Sequence, residues 1–168
     1  TWSQVRSHYT KRYNSEGGGD LIAFTGSNTV YAGTADEGLL RSTNGGTTWI
    51  QIATPTQLGA STIEVLDVKV TGTSADGVYP KTLYVATNNN SYPLRKVVDN
   101  GASVTITTIG AGLPSYPTAI AIAPTSPTTF YATVRNYGVY KSTNSGANFS
   151  KINSEAMASF LAGDAGRR

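Results

Sequence analysis

The sequence predicts an all-β chain built from repeated four-stranded units, and three observations carry that prediction. The 168 residues include 18 Gly and 7 Pro while only 14% are charged, a turn-rich composition unlike that of long-helix proteins. A tyrosine recurs in similar surroundings, "TVYAGT", "TLYVAT" and "TFYATV", so Tyr31, Tyr84 and Tyr131 stand 53 and 47 residues apart. The string "RSTNGGTTW" at 41–49 has a looser copy, "KSTNSGANF", at 141–149. A repeat of roughly 40–50 residues is the length of one four-stranded propeller blade.

Each repeat divides into four short stretches. Stretch A is Leu21 to Thr25, Leu66 to Thr71 or Ala119 to Ala123, and stretch B carries the tyrosine. Stretch C ("LLRST", "LRKVV", "VYKST") passes through a Gly-containing turn into stretch D ("TTWIQI", "SVTITTI", "NFSKIN"). This places blade 1 at 21–57, blade 2 at 58–114 and blade 3 at 115–154. The leading 1–20 reads as an outer strand of a preceding or closing blade plus a loop, because "TWSQV" aligns with "TWIQI". The last residues, 155–168, read as the start of a next blade or a disordered tail.

The turn strings explain themselves locally. Ser42 and Asn44 can hydrogen-bond the turn backbone, Gly46 can take the positive φ of a tight hairpin, and Trp49 returns an aromatic ring to the sheet. Ser142, Asn144, Gly146 and Phe149 repeat the arrangement. In blade 2 only Asp99 and Gly101 survive, with valines where the Ser and Trp would stand. These strings fit Ser/Thr-x-Asp/Asn-x-Gly-x-x-Trp/Phe, and the chain resembles the Asp-box (BNR-repeat) β-propellers: sialidases, xyloglucan-cleaving glycoside hydrolases, the sortilin ectodomain and the photosystem II assembly propeller. The resemblance covers about residues 21–153 and does not resolve a subfamily. It implies that the boxes occupy C–D hairpins remote from the ligand face. Three blades are fewer than the ~4–8 that close a propeller. The expectation is therefore a segment of a larger, six- to eight-bladed ring, or a half-ring completed by another chain.

Composition excludes several functions. A net charge of +3 with scattered basic residues argues against nucleic acid. No run approaches the ~18 apolar residues of a membrane helix. Cysteine is absent, and His8 is the sole histidine, so neither a metal site, a thiolate nucleophile nor a catalytic triad is indicated. "EGGGD" at 16–20 lacks the Lys and spacing of a phosphate loop, and no cofactor is implied. The Thr-, Asn- and Gly-rich, charge-poor composition leans toward a secreted, periplasmic or cell-surface protein. Asn89 and Asn148 stand in Asn-x-Ser sequons.

Propeller ligands usually meet the face of the B–C and D–A loops. The B–C loops are 35–38, 88–93 and 135–138, and the longest D–A loop is read as 110–118. Their contact candidates are Asp36, Glu37, Asn88, Asn90, Tyr92, Tyr116, Arg135 and Tyr137. Amides beside aromatic planes suit a sugar or a protein surface. The expected role is a non-catalytic binding or assembly scaffold. The alternative is a fragment of a xyloglucanase-like glycoside hydrolase with Asp36 as a catalytic carboxylate, by resemblance of "YAGTADEGLLRSTNGGTTW". An inverting hydrolase needs two carboxyls ~6.5–9.5 Å apart. Glu37 is a poor partner, because neighbouring side chains diverge in extended backbone. That leaves Asp20, Asp76 or absent blades. A sialidase would need converging arginines, whereas Arg41, Arg95 or Lys96, and Lys141 recur at one repeat position.

Overall fold

The computed structural model describes residues 19–72 and 75–152. It contains three four-stranded antiparallel sheets, each an up-and-down meander. Blade 1 comprises β1 (Ile22–Thr25), β2 (Thr29–Gly33), β3 (Leu39–Ser42) and β4 (Ile50–Ala53). A short helix, α1 (Pro55–Leu58), leads to blade 2: β5 (Val65–Gly72), β6 (Lys81–Thr87), β7 (Leu94–Asp99) and β8 (Val104–Ile109). Blade 3 comprises β9 (Ala119–Ala123), β10 (Ser126–Val134), β11 (Gly138–Ser142) and β12 (Ser150–Lys151). The first strand of each sheet pairs only with the second, so β1, β5 and β9 form the inner row. Among the described residues the three sheets do not close on one another into a ring. The expectations for Thr1–Val5, His8 and 155–168 fall outside the described residues.

The strand register bears out the repeat. Tyr31 lies between Ala23 and Arg41, Tyr84 between Lys69 and Lys96, and Tyr131 between Ala121 and Lys141. Of the two basic candidates in blade 2, Lys96 is therefore the equivalent of Arg41 and Lys141.

Blade 2 is a wall between two cores. Its Val65, Val68, Leu83, Val85 and Val97 pack with Ala23, Tyr31 and Leu39 of blade 1. Its Leu66, Tyr84, Ala86 and Leu94 pack with Ile120, Phe130, Ala132, Val134, Tyr140 and Phe149 of blade 3. A sheet covered on both faces buries successive positions, as along Val65–Val68 in β5 and Leu83–Thr87 in β6. In contrast β1 alternates exposed and buried, because side chains of period two leave Ile22 and Phe24 on its uncovered face.

Candidate functional site

The two boxes are near-copies in three dimensions. In blade 1 the Ser42 hydroxyl accepts from the Asn44 and Gly46 amides at 3.3 and 2.9 Å and donates to Asn44 Oδ1 at 3.0 Å. Asn44 Oδ1 also accepts from the Thr48 amide at 2.8 Å. In blade 3 Ser142, Asn144, Gly146 and Asn148 reproduce these bonds at 3.2, 3.0, 2.8 and 2.9 Å. Gly46 and Gly146 have φ of 89° and 78°, the left-handed region that glycine tolerates. The Trp49 indole N–H closes the first turn on Gly46 O at 2.9 Å. Trp49 is half-buried, whereas Phe149 enters the core between blades 2 and 3.

The second box touches the loop that the sequence assigns to the ligand face. Gly110 N donates to Gly146 O, Ala111 N to Ala147 O, and Phe149 N to Ala111 O, at 2.9, 3.0 and 2.7 Å. The box thus anchors the start of the D–A loop instead of lying remote from it. Blades twist from inner to outer strand, so a C–D hairpin swings toward the outer strand of the preceding blade.

The corresponding hairpin of blade 2 makes different contacts. Without the serine, β7 and β8 stay paired as far as Asp99 opposite Val104, and Asp99 Oδ1 accepts from Gly101 N at 2.8 Å. The same carboxylate, 1% exposed, receives Arg41 Nη1 at 2.8 Å and the Tyr31 hydroxyl at 2.7 Å from blade 1. Arg41 Nη2 also donates to Gly101 O at 2.9 Å, and its guanidinium lies 5.2 Å over the Tyr79 ring. Burial, then the bonded Asp99 carboxylate, push the Tyr31 hydroxyl far above its ordinary pKa.

On the loop face the candidates fall into two groups. Asn88 and Asn90 brace neighbouring loops: Asn88 Oδ1 accepts from Glu64 N at 2.9 Å, and Asn90 Oδ1 accepts from the Ser115 hydroxyl and Tyr116 N at 2.8 and 3.2 Å. Tyr92 is half-buried, with the Arg95 guanidinium 5.1 Å from its ring centroid and Gly59 packed against its edge. Tyr116 packs on the core between blades 2 and 3. Asp36, Arg135 and Tyr137 are exposed, and Glu37 is half-buried. The turn that carries Asp36 is closed by Thr34 N to Gly38 O at 2.8 Å and Glu37 N to Thr34 Oγ1 at 2.9 Å.

The longest D–A loop is not 110–118 but 54–64, which contains α1. Its signal was present in "TPTQ": Thr54 caps Gln57 N, the Gln57 side chain returns to Thr54 N at 2.9 Å, and Pro55 opens the helix. The Gln57 carbonyl faces Arg95, whose pKa burial lowers.

The inner strands line an open groove of about 790 Å³, walled by Ile22, Phe24, Val70, Ala121 and Pro124 and carrying Asp67 and Lys69. Asp67, wholly buried, accepts from Asp20 N at 3.1 Å and Ile120 N at 2.7 Å, so one carboxylate of β5 ties β9 to the residues leading into β1. Lys69 Nζ bridges Asp67 and Asp20 at 2.9 and 2.7 Å. Burial raises the Asp67 pKa against the opposing pull of Ile120 N and Lys69. Burial also pulls Lys69 down, but the two carboxylates outweigh it and its pKa stands above normal. The alternation of Asp67 and Lys69 within "VLDVKV" was the sequence signal for this feature.

The two carboxylates nominated as partners for Asp36 are engaged elsewhere. Asp20 is paired with Lys69. Asp76 receives the amides of Ser27, Asn28 and Thr29 at 2.8–3.1 Å and the Thr29 hydroxyl at 2.9 Å. That turn joins strands A and B, at the end of the sheet opposite the B–C loop of Asp36. No group of metal-ligating side chains gathers among the described residues, and none of their helices is long and apolar enough to cross a membrane.

Three antiparallel four-stranded sheets around an inner strand row, with box hairpins between them, define a segment of the β-propeller fold. Comparison with solved structures agrees. The chain is similar to the GH74 enzyme of Niastella koreensis (TM-score 0.57, 21% identity over 79% of this chain and 21% of that one) and to an ancestral GH74 enzyme (0.53, 20%, over 74% and 17%). It is also similar to YCF48 bound to D1 peptide (0.55, 19%, over 81% and 40%). The chain thus spans about a fifth of the length of the GH74 enzymes and two fifths of YCF48. No protein-family model and no curated protein matches it.

Proposed function

We propose that this chain is a non-catalytic binding or assembly scaffold of an exported protein, presenting its B–C and D–A loops to a protein or carbohydrate partner. The observation that carries this reading is the bracing of the loop face. Asn88 and Asn90 are spent on neighbouring loops, and the second box holds residues 110 and 111. A surface fixed in this way binds without a large ordering cost. It offers the exposed Tyr137 ring and Arg135 side chain, groups suited to stacking on a sugar or pairing with a peptide.

The hydrolase reading draws on the shared fold with GH74 enzymes and on Asp36. It is weakened by the commitments of Asp20 and Asp76, the two carboxylates nominated to act with Asp36, to Lys69 and to the 27–29 turn. The peptide-bound YCF48 structure supports a protein partner as readily as the GH74 enzymes support a glycan. The test is calorimetric titration of the chain with xyloglucan oligosaccharides and with a peptide array, alongside an assay for released reducing sugar. Binding of either ligand class that weakens at least tenfold in Tyr137→Ala, with no sugar release, is the expected result. Sugar release abolished by Asp36→Asn would overturn it.

A further inference from the structure

Two arginines are buried at the boundary between blades 1 and 2, and only one is matched by an acid. Arg41, 7% exposed, meets Asp99 at 2.8 Å. Arg95, also 7% exposed, stands four residues before Asp99 on β7, so the two share one face of blade 2. It lies at the end of the strand that follows the 88–93 loop. Among the described residues no carboxylate pairs with it.

The bonds that Arg95 does make leave one edge of its guanidinium unmet. Nη1 donates to the Thr108 hydroxyl, directly across the β7–β8 ladder, and the Tyr92 ring centroid lies 5.1 Å away. Nη2 reaches only the Gln57 carbonyl at 3.5 Å, a long bond, and the buried Nε–H has no acceptor. Nε–H and Nη2–H point side by side and form a fork that takes both oxygens of a carboxylate. Arg41 Nε also lacks an acceptor, but the charge of Arg41 is already met by Asp99. At Arg95 the fork faces α1, a single turn whose Thr56 and Gln57 are exposed, so the cover between the fork and solvent is thin. A buried cation without a counter-ion carries a desolvation cost that an incoming anion offsets.

We propose that Arg95 is the receptor for a carboxylate side chain of an acidic peptide partner, which enters beside α1, replaces the Gln57 carbonyl on Nη2 and takes the Nε–H. A peptide suits the seat better than a sugar acid. The aromatic ring in the seat, Tyr92, already carries the guanidinium on its face and Gly59 against its edge, whereas an acid on a flexible stem needs only the fork. The inference rests on the reading of the B–C and D–A loops as a binding face and names the chemical group that one seat on that face takes.

The test follows the Arg95 Nε–Hε resonance, assigned by its loss in Arg95→Lys, while the chain is titrated with a capped peptide of alternating Gly and Glu and with its Gly and Gln counterpart. The expected result is a saturable downfield shift with the Glu peptide and none with the Gln peptide. Arg95→Lys, which keeps the charge but has no fork, should bind the Glu peptide about tenfold more weakly. The resonance is read in the wild type, so the outcome does not hang on how a variant folds. An unmoved resonance, an equal response to both peptides, or a shift produced by digalacturonate and not by the Glu peptide would overturn the proposal. Tyr137→Ala is titrated in parallel. Binding that depends on Tyr137 while the Arg95 resonance stays still sinks this inference alone, whereas absence of binding to either ligand class sinks the scaffold reading as well.

Discussion

The hydroxyl of Tyr31 donates to Asp99 Oδ2 at 2.7 Å across the boundary between blades 1 and 2, linking residues 68 apart in the chain. The acceptor lies in the C–D hairpin of blade 2 and is shared with Arg41 and Gly101 N. Hydrogen bonds to a charged group contribute about 1.5–3 kcal/mol, whereas removing one partner of a buried ion pair costs about 3–5 kcal/mol. Tyr31→Phe should therefore lower unfolding free energy by about 2 kcal/mol in urea titration. Asp99→Ala should lower it by about 3–5 kcal/mol, since Arg41 is left buried without its carboxylate. Equal effects from the two variants would contradict this division of roles.

The boxes make a paired prediction. Alanine at Gly46 or Gly146 forces a side chain into positive φ, which costs about 1–3 kcal/mol. At Gly46 the new methyl meets only Trp49 at 3.6 Å, while at Gly146 it meets Ile109 and Phe130 at 3.2 Å and Leu94 at 3.4 Å. Overpacking adds about 1–3 kcal/mol, so Gly146→Ala should be the more damaging by about that margin in thermal or chemical denaturation.

The loop brace can be separated from stability. Asn90→Ala removes the acceptor for Ser115 and for Tyr116 N on the exposed rim. Hydrogen exchange should rise in residues 112–118 with a global loss of no more than about 1 kcal/mol. Unchanged exchange there would mean that the second box, through Gly110 and Ala111, holds the loop alone.

Asp76 supplies a pH dependence. The Asn28 amide first, then Thr29 and Ser27, hold its pKa below the ordinary 3.8. A depressed carboxylate contributes stability that is complete above the unfolded pKa of about 3.9 and is lost as pH falls through the folded value. Asp76→Asn should thus be less stable than the wild type at pH 7. The difference between their urea midpoints should narrow below about pH 4, as the wild-type carboxylate becomes protonated. A constant difference across that range would show that Asp76 acts by shape alone.

Much of this architecture was legible in the primary structure because its devices are local. The box bonds run between residues two to four apart, from Ser42 to Asn44 and Gly46 and from Asn44 to Thr48, so the string carries the geometry that it specifies. The tyrosine repeat carries the register, and the capping of α1 is written in "TPTQ". Among the loop-face candidates, residue type alone could not separate Asn90, used as a brace, from the exposed Tyr137.

The sequence by itself determined the repeat, the strand order within each blade and the box turns, since hydrophobic period and short-range hydrogen bonds settle them. Only the tertiary structure decided which polar side chains meet between blades. Asp67 ties Asp20 to Ile120, Asp76 caps the 27–29 turn, and Asp99 holds Tyr31 and Arg41. Those partners lie 47 or more residues apart, and the rotation of one blade against the next brings them together. No periodic pattern records that rotation, so the same carboxylates that looked free in the string are the groups that join the blades.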